Sequence, residues 1–204
     1  MVWVAAVAVV QATTRNATLD ILVEGKPVGT AVVQVTLLPQ GGIRNKMRTE
    51  IGEGANRVVI EQESEYGKTA APTRKYLRRF HKNPMMVVVT FTGSTANAVI
   101  EEGRSRQLKS VVAPPGAQIA AESEFWFFTF KPKVGAVSSY FRFDVDKLEW
   151  VKTEAKYEGE VRLEIGGKTL NAHKISSGAY TVWQDAGGMP LRIDSAAATF
   201  RRRF

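Results

Sequence analysis

Apolar and polar residues alternate with a period of two through most of the stretch from Leu19 to Phe200, and Gly- or Pro-containing turns cut the alternation into short runs. In Val161-Arg162-Leu163-Glu164-Ile165 apolar side chains hold the odd positions and charged ones the even positions, so one side of such a strand is dry and the other wet. Leu19 to Glu24 and Thr30 to Leu38 flank the turn Gly25-Lys26-Pro27-Val28-Gly29 and read as a β-hairpin. Ile43 to Ile51 and Arg57 to Tyr66 follow. The first carries Arg44, Lys46, Arg48 and Glu50 on its wet side, the second Arg57, Glu61, Glu63 and Glu65, so a basic face is expected opposite an acidic one. Further runs are Arg74 to Phe80, Met85 to Thr92, Ala96 to Glu101, Gln107 to Val112, Tyr140 to Val145, Leu148 to Tyr157, Gly159 to Ile165, Lys168 to Ile175, Ala179 to Gln184 and Met189 to Ile193.

About a dozen consecutive strands on short turns form a meander, and a meander that wide must curl, because a flat sheet would leave its apolar face in water. The expected fold is mainly β, an antiparallel meander making a strongly curved half-barrel sheet. At most one short helix is expected, in Ala120 to Phe130, a stretch that fits a bulky strand equally well. No linker of Ser, Pro and Gly divides the chain, and residues 13–204 read as one β domain. No fixed repeat points to a propeller or solenoid. There is no run of eighteen apolar residues, so no transmembrane helix is expected.

Residues 1–12, Met1 to Ala12, have the apolar length of a signal-peptide core and end in Val10-Gln11-Ala12, whose small residues resemble a cleavage site; the usual basic start is missing. They read as the remnant of a signal peptide, or else as a first strand covered on both faces. A leader implies a periplasmic or otherwise exported protein.

The formal charge of +8 is unevenly spread. Arg74, Lys75, Arg78, Arg79, His81 and Lys82 fall close together, and Arg201-Arg202-Arg203 stands near the end of the chain. Such a cluster suits an anionic envelope surface or polymer, and Arg74, Lys75, Arg78, Arg79 and Lys82 are its candidate anion-binding residues. Tyr76 and Phe80 alternate with the charges as nucleic-acid binding would require, but no RNA-binding signature is present, and export would separate the protein from nucleic acid.

Catalytic and metal chemistry find little support. With no cysteine, disulfides, thiolate metal sites and cysteine nucleophiles are excluded. His81 and His173 are far apart and outside any metal-binding spacing, and no nucleophile elbow, phosphate loop or dinucleotide fingerprint occurs. Asp144, Asp146 and Glu149 could be arranged as a hard-cation site, but the ligand spacing of a calcium loop is absent and a solvated strand end explains them. Asp144 and Asp185 are the carboxylates an unfamiliar enzyme would use. No catalytic residue, metal or cofactor is expected.

The run Phe125-Trp126-Phe127-Phe128-Thr129-Phe130 is the densest apolar feature. Successive aromatics on a strand cannot all face one core, so part of the run is expected at a rim, a contact or a ligand cavity, although a doubly covered core element would also accommodate it. At roughly 0.8 kcal/mol per buried CH₂, an acyl chain is an inexpensive ligand for such a surface. Phe125, Trp126, Phe128 and Trp183 are therefore the candidate residues for binding a lipid or other amphiphile. A non-catalytic envelope protein holding such a ligand, or a lipid-bearing partner, in the concave face is the leading functional expectation.

Leu22-Val23-Glu24-Gly25-Lys26-Pro27-Val28-Gly29-Thr30, with Trp183, Asp185, Gly188, Pro190 and Arg192 in Tyr180 to Ile193, resembles a family of exported bacterial domains of unknown function in which one glycine-bracketed hairpin opens the domain and another closes it. Members of that family are similar to the lipoprotein-carrier (LolA/LolB-like) half-barrels, whose curved antiparallel sheet wraps a hydrophobic cavity. The resemblance covers the two ends and the strand rhythm; Thr69 to Lys133 carry no motif of that family. It implies a half-barrel fold and an exported location, and carries over no functional residue. The closing hairpin also has a structural account, with Trp183 covering the open end of the sheet.

Overall fold

The structure, a computed structural model, describes residues 12–119, 131–178 and 180–204. Their strands are β1 (Thr13–Val23), β2 (Lys26–Leu37), β3 (Ile43–Ile51), β4 (Val58–Tyr66), β5 (Pro72–Phe80), β6 (Met85–Thr92), β7 (Thr95–Glu102), β8 (Ser105–Val112), β9 (Val137–Asp144), β10 (Glu149–Ile165), β11 (Lys168–Ser177), β12 (Tyr180–Gln184), β13 (Pro190–Ser195) and β14 (Thr199–Arg202), with a 3₁₀ turn at Gly54–Asn56. All belong to one antiparallel sheet in the order β8-β7-β6-β5-β4-β3-β2-β1-β14-β13-β12-β11-β10-β9. Neighbours follow chain order except where β1 meets β14, with Leu19 opposite Arg202 and Ile21 opposite Phe200.

The two arms of this meander curl toward each other, and among the described residues no strand pairing closes them. At the gap β10 touches β8 instead of pairing with it, and the Trp150 indole N–H donates to the Val111 carbonyl at 3.2 Å. The half-barrel expected from the alternation is the fold observed. No helix of the described residues is long and apolar enough to cross a membrane.

The concave face is dry in two main regions. Leu19 and Ile21 are almost fully buried with Ala31, Val33 and Met189; each large side chain removed from water contributes about 1.5–3 kcal/mol. In the other arm the tip of the β9–β10 hairpin folds onto β5 to β7. Phe143 packs edge-on against Phe91 and Trp150, with ring centroids 5.8 and 5.4 Å away, over Leu77, Val87 and Val89.

Several element boundaries depart from the sequence reading. The first turn is Glu24-Gly25, not Gly25 to Gly29, because Lys26 and Pro27 already pair with Val23 and Leu22 and so begin β2. β1 begins at Thr13, not Leu19, because Thr13 and Arg15 occupy the inner face at the mouth of the barrel, where an apolar pattern is not required. β10 is one strand where two were expected: Gly159, at φ +104, carries a bulge that restores pairing with β11, so it does not end the strand. Glu158 at that bulge accepts a hydrogen bond from Ser176 Oγ at 2.9 Å. That bond, with Lys156 and Lys174 adding, holds its carboxyl below the usual range. The terminal arginines are dispersed by β14: Arg202 bonds Asp185 at 2.7 Å, while Arg203 Nε donates to Asp20 at 3.1 Å. The expectations for residues 1–11 and for Ala120 to Phe130 fall outside the described residues.

Candidate functional site

Cross-strand partners share a face of the sheet, so register fixes what the barrel mouth presents. One row runs Thr13, Leu37, Ile43, Tyr66 across β1 to β4, and the row beneath it starts Arg15, Val35. These rows wall a cavity of about 650 Å³ at the end of the barrel where β1 begins. Tyr157 of β10 and His173 of β11 stand among the other lining residues, with Gly187 from the β12–β13 turn. Lys68, from the β4–β5 turn, and Lys131 join Arg15, so that among the described residues the lining carries three Lys or Arg cations and no carboxylate. The volume is within the range of small-molecule pockets.

The polar groups in the wall are organised. Tyr157 Oη and His173 Nδ1 share a hydrogen bond of 2.8 Å, and burial, with Glu160 adding, pushes the Tyr157 phenol above its ordinary value of 10.0. Arg15 Nη1 donates to the Gly187 carbonyl at 2.7 Å. A Cβ at Gly187 would lie 2.2 Å from Arg15 Nη1, so the absence of a side chain there makes room for the guanidinium. Asp185 builds the turn that presents Gly187: its Oδ1 accepts the backbone N–H groups of Gly187 and Met189, each at 2.9 Å, and its Oδ2 accepts from Arg202. Both oxygens of this carboxylate are committed to structure.

Further inside, Asn45, Gln62, Ser64, Lys75 and Arg142 line a smaller cavity of about 320 Å³ with Leu77 and Phe143. The interior is thus apolar and cationic at the mouth, and polar deeper in.

The residues singled out from sequence are placed as follows. Phe125, Trp126 and Phe128 lie outside the described residues. Trp183 pairs with Lys174 and Arg192, on the face opposite Val182 and Ile193, and packs by Leu163, Ile165, Ala172 and Leu191. The Arg192 guanidinium lies 5.2 Å from its ring centroid. Trp183 is therefore on the convex side and does not line the cavity.

The five cations of β5 and its turn are separated by the alternation of the strand. Lys75 is buried on the inner face, 6.0 Å from the Tyr66 ring centroid, and Arg79 pairs with Asp146 at the β9–β10 turn. Arg74 and Arg78 face outward. Arg74 lies 3.3 Å from Glu63 and Arg78 stacks on Phe80 at 4.2 Å, while Lys82 is exposed in the turn. The acidic face of β4 lies beside the basic face of β3, as the sequence led us to expect, with Glu63 reaching Lys46 at 2.9 Å and Arg44 at 3.8 Å; the outward arginines of β5 flank it on the other side. The cluster is not one contiguous patch.

Asp144 Oδ1 accepts the backbone N–H groups of Asp146 and Lys147 at 3.0 and 3.1 Å, the geometry of a turn. Among the described residues no group of three metal-ligating side chains comes together.

Sequence reasoning missed the cavity lining. Its members are ordinary residue types from separate segments, and the one available signal was Arg15 and Thr13 interrupting the inner face of β1.

No protein-family model matches the chain, and no curated protein matches it. In backbone it is similar to the crystal structure of a β-barrel-like protein of domain of unknown function DUF1849 from Brucella abortus, with a TM-score of 0.53 and 11% identity over 97% of this chain and 96% of that one. That likeness, spanning nearly all of both chains, establishes a β-barrel-like fold.

Proposed function

We propose that this protein is a non-catalytic carrier that holds the chain of an amphiphile, or of a lipid-bearing partner, in the cavity at the mouth of its half-barrel, and that it works in the cell envelope. The observation that carries this reading is the cavity of about 650 Å³ walled by Val35, Leu37 and Ile43. An acyl chain seated there gains roughly 0.8 kcal/mol for each CH₂ withdrawn from water, so about ten carbons offset the entropy of association. The location rests on the leader-like composition of residues 1–12, and the carrier role accords with the resemblance to lipoprotein-carrier half-barrels. The charge-split surface of β3 to β5 gives no comparable support to binding of anionic polymers.

The test fills the cavity. Val35→Phe combined with Ile43→Trp should abolish uptake of a fluorescent dodecyl probe while the far-ultraviolet β signature and cooperative melting persist. Undiminished uptake by a folded double variant would place the ligand elsewhere or dismiss it.

A further inference from the structure

The mouth of the cavity contains a charge arrangement that an apolar chain does not need. We propose that the ligand carries an anionic head group, a carboxylate or a phosphate, held by Arg15, Lys68 and Lys131; this rests on the carrier reading above and names its ligand class.

Three observations converge. Among the described residues the cavity lining includes these cations and no carboxylate. Among the described residues none of the three makes an ion pair, whereas cations of the outer face such as Arg44, Lys46 and Arg74 are paired with Glu63 or Glu65. The nearby Asp185 is bound to Arg202 and two backbone N–H groups and, among the described residues, to no other cation.

Arg15 is also positioned. Its Nη1 is anchored on the Gly187 carbonyl, a neutral acceptor that orients the guanidinium without neutralising it. Four further N–H donors of the fork remain, and such a fork matches the two oxygens of a carboxylate or phosphate. Lys68 and Lys131 add mobile point charges at the same opening. The apolar row Leu37 and Ile43 stands beside them, so one ligand can place its chain on the wall and its head at the rim. An amphiphile with a neutral head would gain the first contact alone, and a cationic one would be repelled.

The experiment is isothermal titration of the full chain with dodecanoate, dodecyl phosphate, 1-dodecanol and dodecyltrimethylammonium, each below its micellar concentration, at low and moderate salt. The anionic compounds should bind at least tenfold more tightly than the alcohol, and the cationic one least. Arg15→Gln with Lys68→Gln and Lys131→Gln should remove the preference without weakening the alcohol. Gly187→Ala preserves every charge but displaces the guanidinium from its anchor, and should weaken the anions several-fold while leaving the melting temperature nearly unchanged. Tighter binding of dodecyl phosphate would point to a phospholipid and of dodecanoate to a free fatty acid; either supports the proposal. Equal affinity for alcohol and anions, or a preference that survives the triple substitution, overturns it and leaves the carrier reading standing. Failure of all four compounds to bind removes the carrier reading itself.

Discussion

Glu63→Gln tests whether the banded charges on the convex face hold the sheet together or merely decorate it. Glu63 is at the centre of the bands: Lys46 lies at 2.9 Å, Arg74 at 3.3 Å and Arg44 at 3.8 Å, and its side chain is only 15% exposed. The substitution keeps the volume and one acceptor oxygen, removes the charge, and turns the other oxygen into an NH₂ donor that cannot accept from these cations. Arg44 retains Glu65, but Lys46 and Arg74 lose their only acidic partner among the described residues. At about 0.2–1 kcal/mol for each surface pair, the three contacts together stabilise by roughly 1–2 kcal/mol once their incomplete exposure to water is considered. For a domain of this size that lowers the melting temperature by about 2–8 °C. The assay is thermal unfolding followed by circular dichroism, repeated in 1 M salt, where a screening length of about 3 Å should erase most of the difference. The freed cations should also retain the variant longer on immobilised heparin. A melting temperature within about 1 °C of the unsubstituted protein at low salt, or a loss that salt does not reduce, refutes the electrostatic account.

Other consequences follow from the same geometry. Phe143→Ala removes the centre of the aromatic trio that fastens the β9–β10 tip over β5 to β7, and should cost about 3–5 kcal/mol in chemical denaturation. Asp185→Ala leaves two turn N–H groups and Arg202 without their acceptor; a loss of about 2–4 kcal/mol is expected, together with weaker dodecanoate binding because Gly187 no longer presents its carbonyl to Arg15. With its phenol raised, Tyr157 binds its proton more tightly folded than unfolded, so its contribution to stability is complete below about pH 10 and is lost as pH rises through the folded value. Alkaline difference absorbance should show Tyr157 titrating late, and Tyr157→Phe should remove that late component.

The fold was legible because burial on one face imposes a period of two that few other structures tolerate. Even the pairing of the basic face of β3 with the acidic face of β4 could be read, since a hairpin brings consecutive strands side by side. The site was not legible, for three separable reasons. A strand's parity resets at each bulge: the shift between Trp183 and Gln184 in the pairing of β12 with β13 is invisible in the sequence, as is the fact that Trp183 faces outward with Arg192. The same alternation that makes β5 a strand sends Lys75 inward and Arg74 outward, so a run of basic residues need not become a patch. And the requirement for glycine at position 187 comes from Arg15, a residue 172 positions away, which only the closure of β1 against β14 brings within reach. Asp185 shows the converse: the sequence offered it only as a carboxylate an unfamiliar enzyme would use, and the turn it stabilises accounts for both of its oxygens.

Native mass spectrometry of the gently purified chain, with solvent extraction of whatever travels with it, tests the carrier account most directly. The account predicts a one-to-one adduct that releases an amphiphile bearing a carboxylate or phosphate and that is absent from the Val35→Phe, Ile43→Trp variant. A clean mass for the bare chain, unchanged after incubation with dodecanoate, would contradict it.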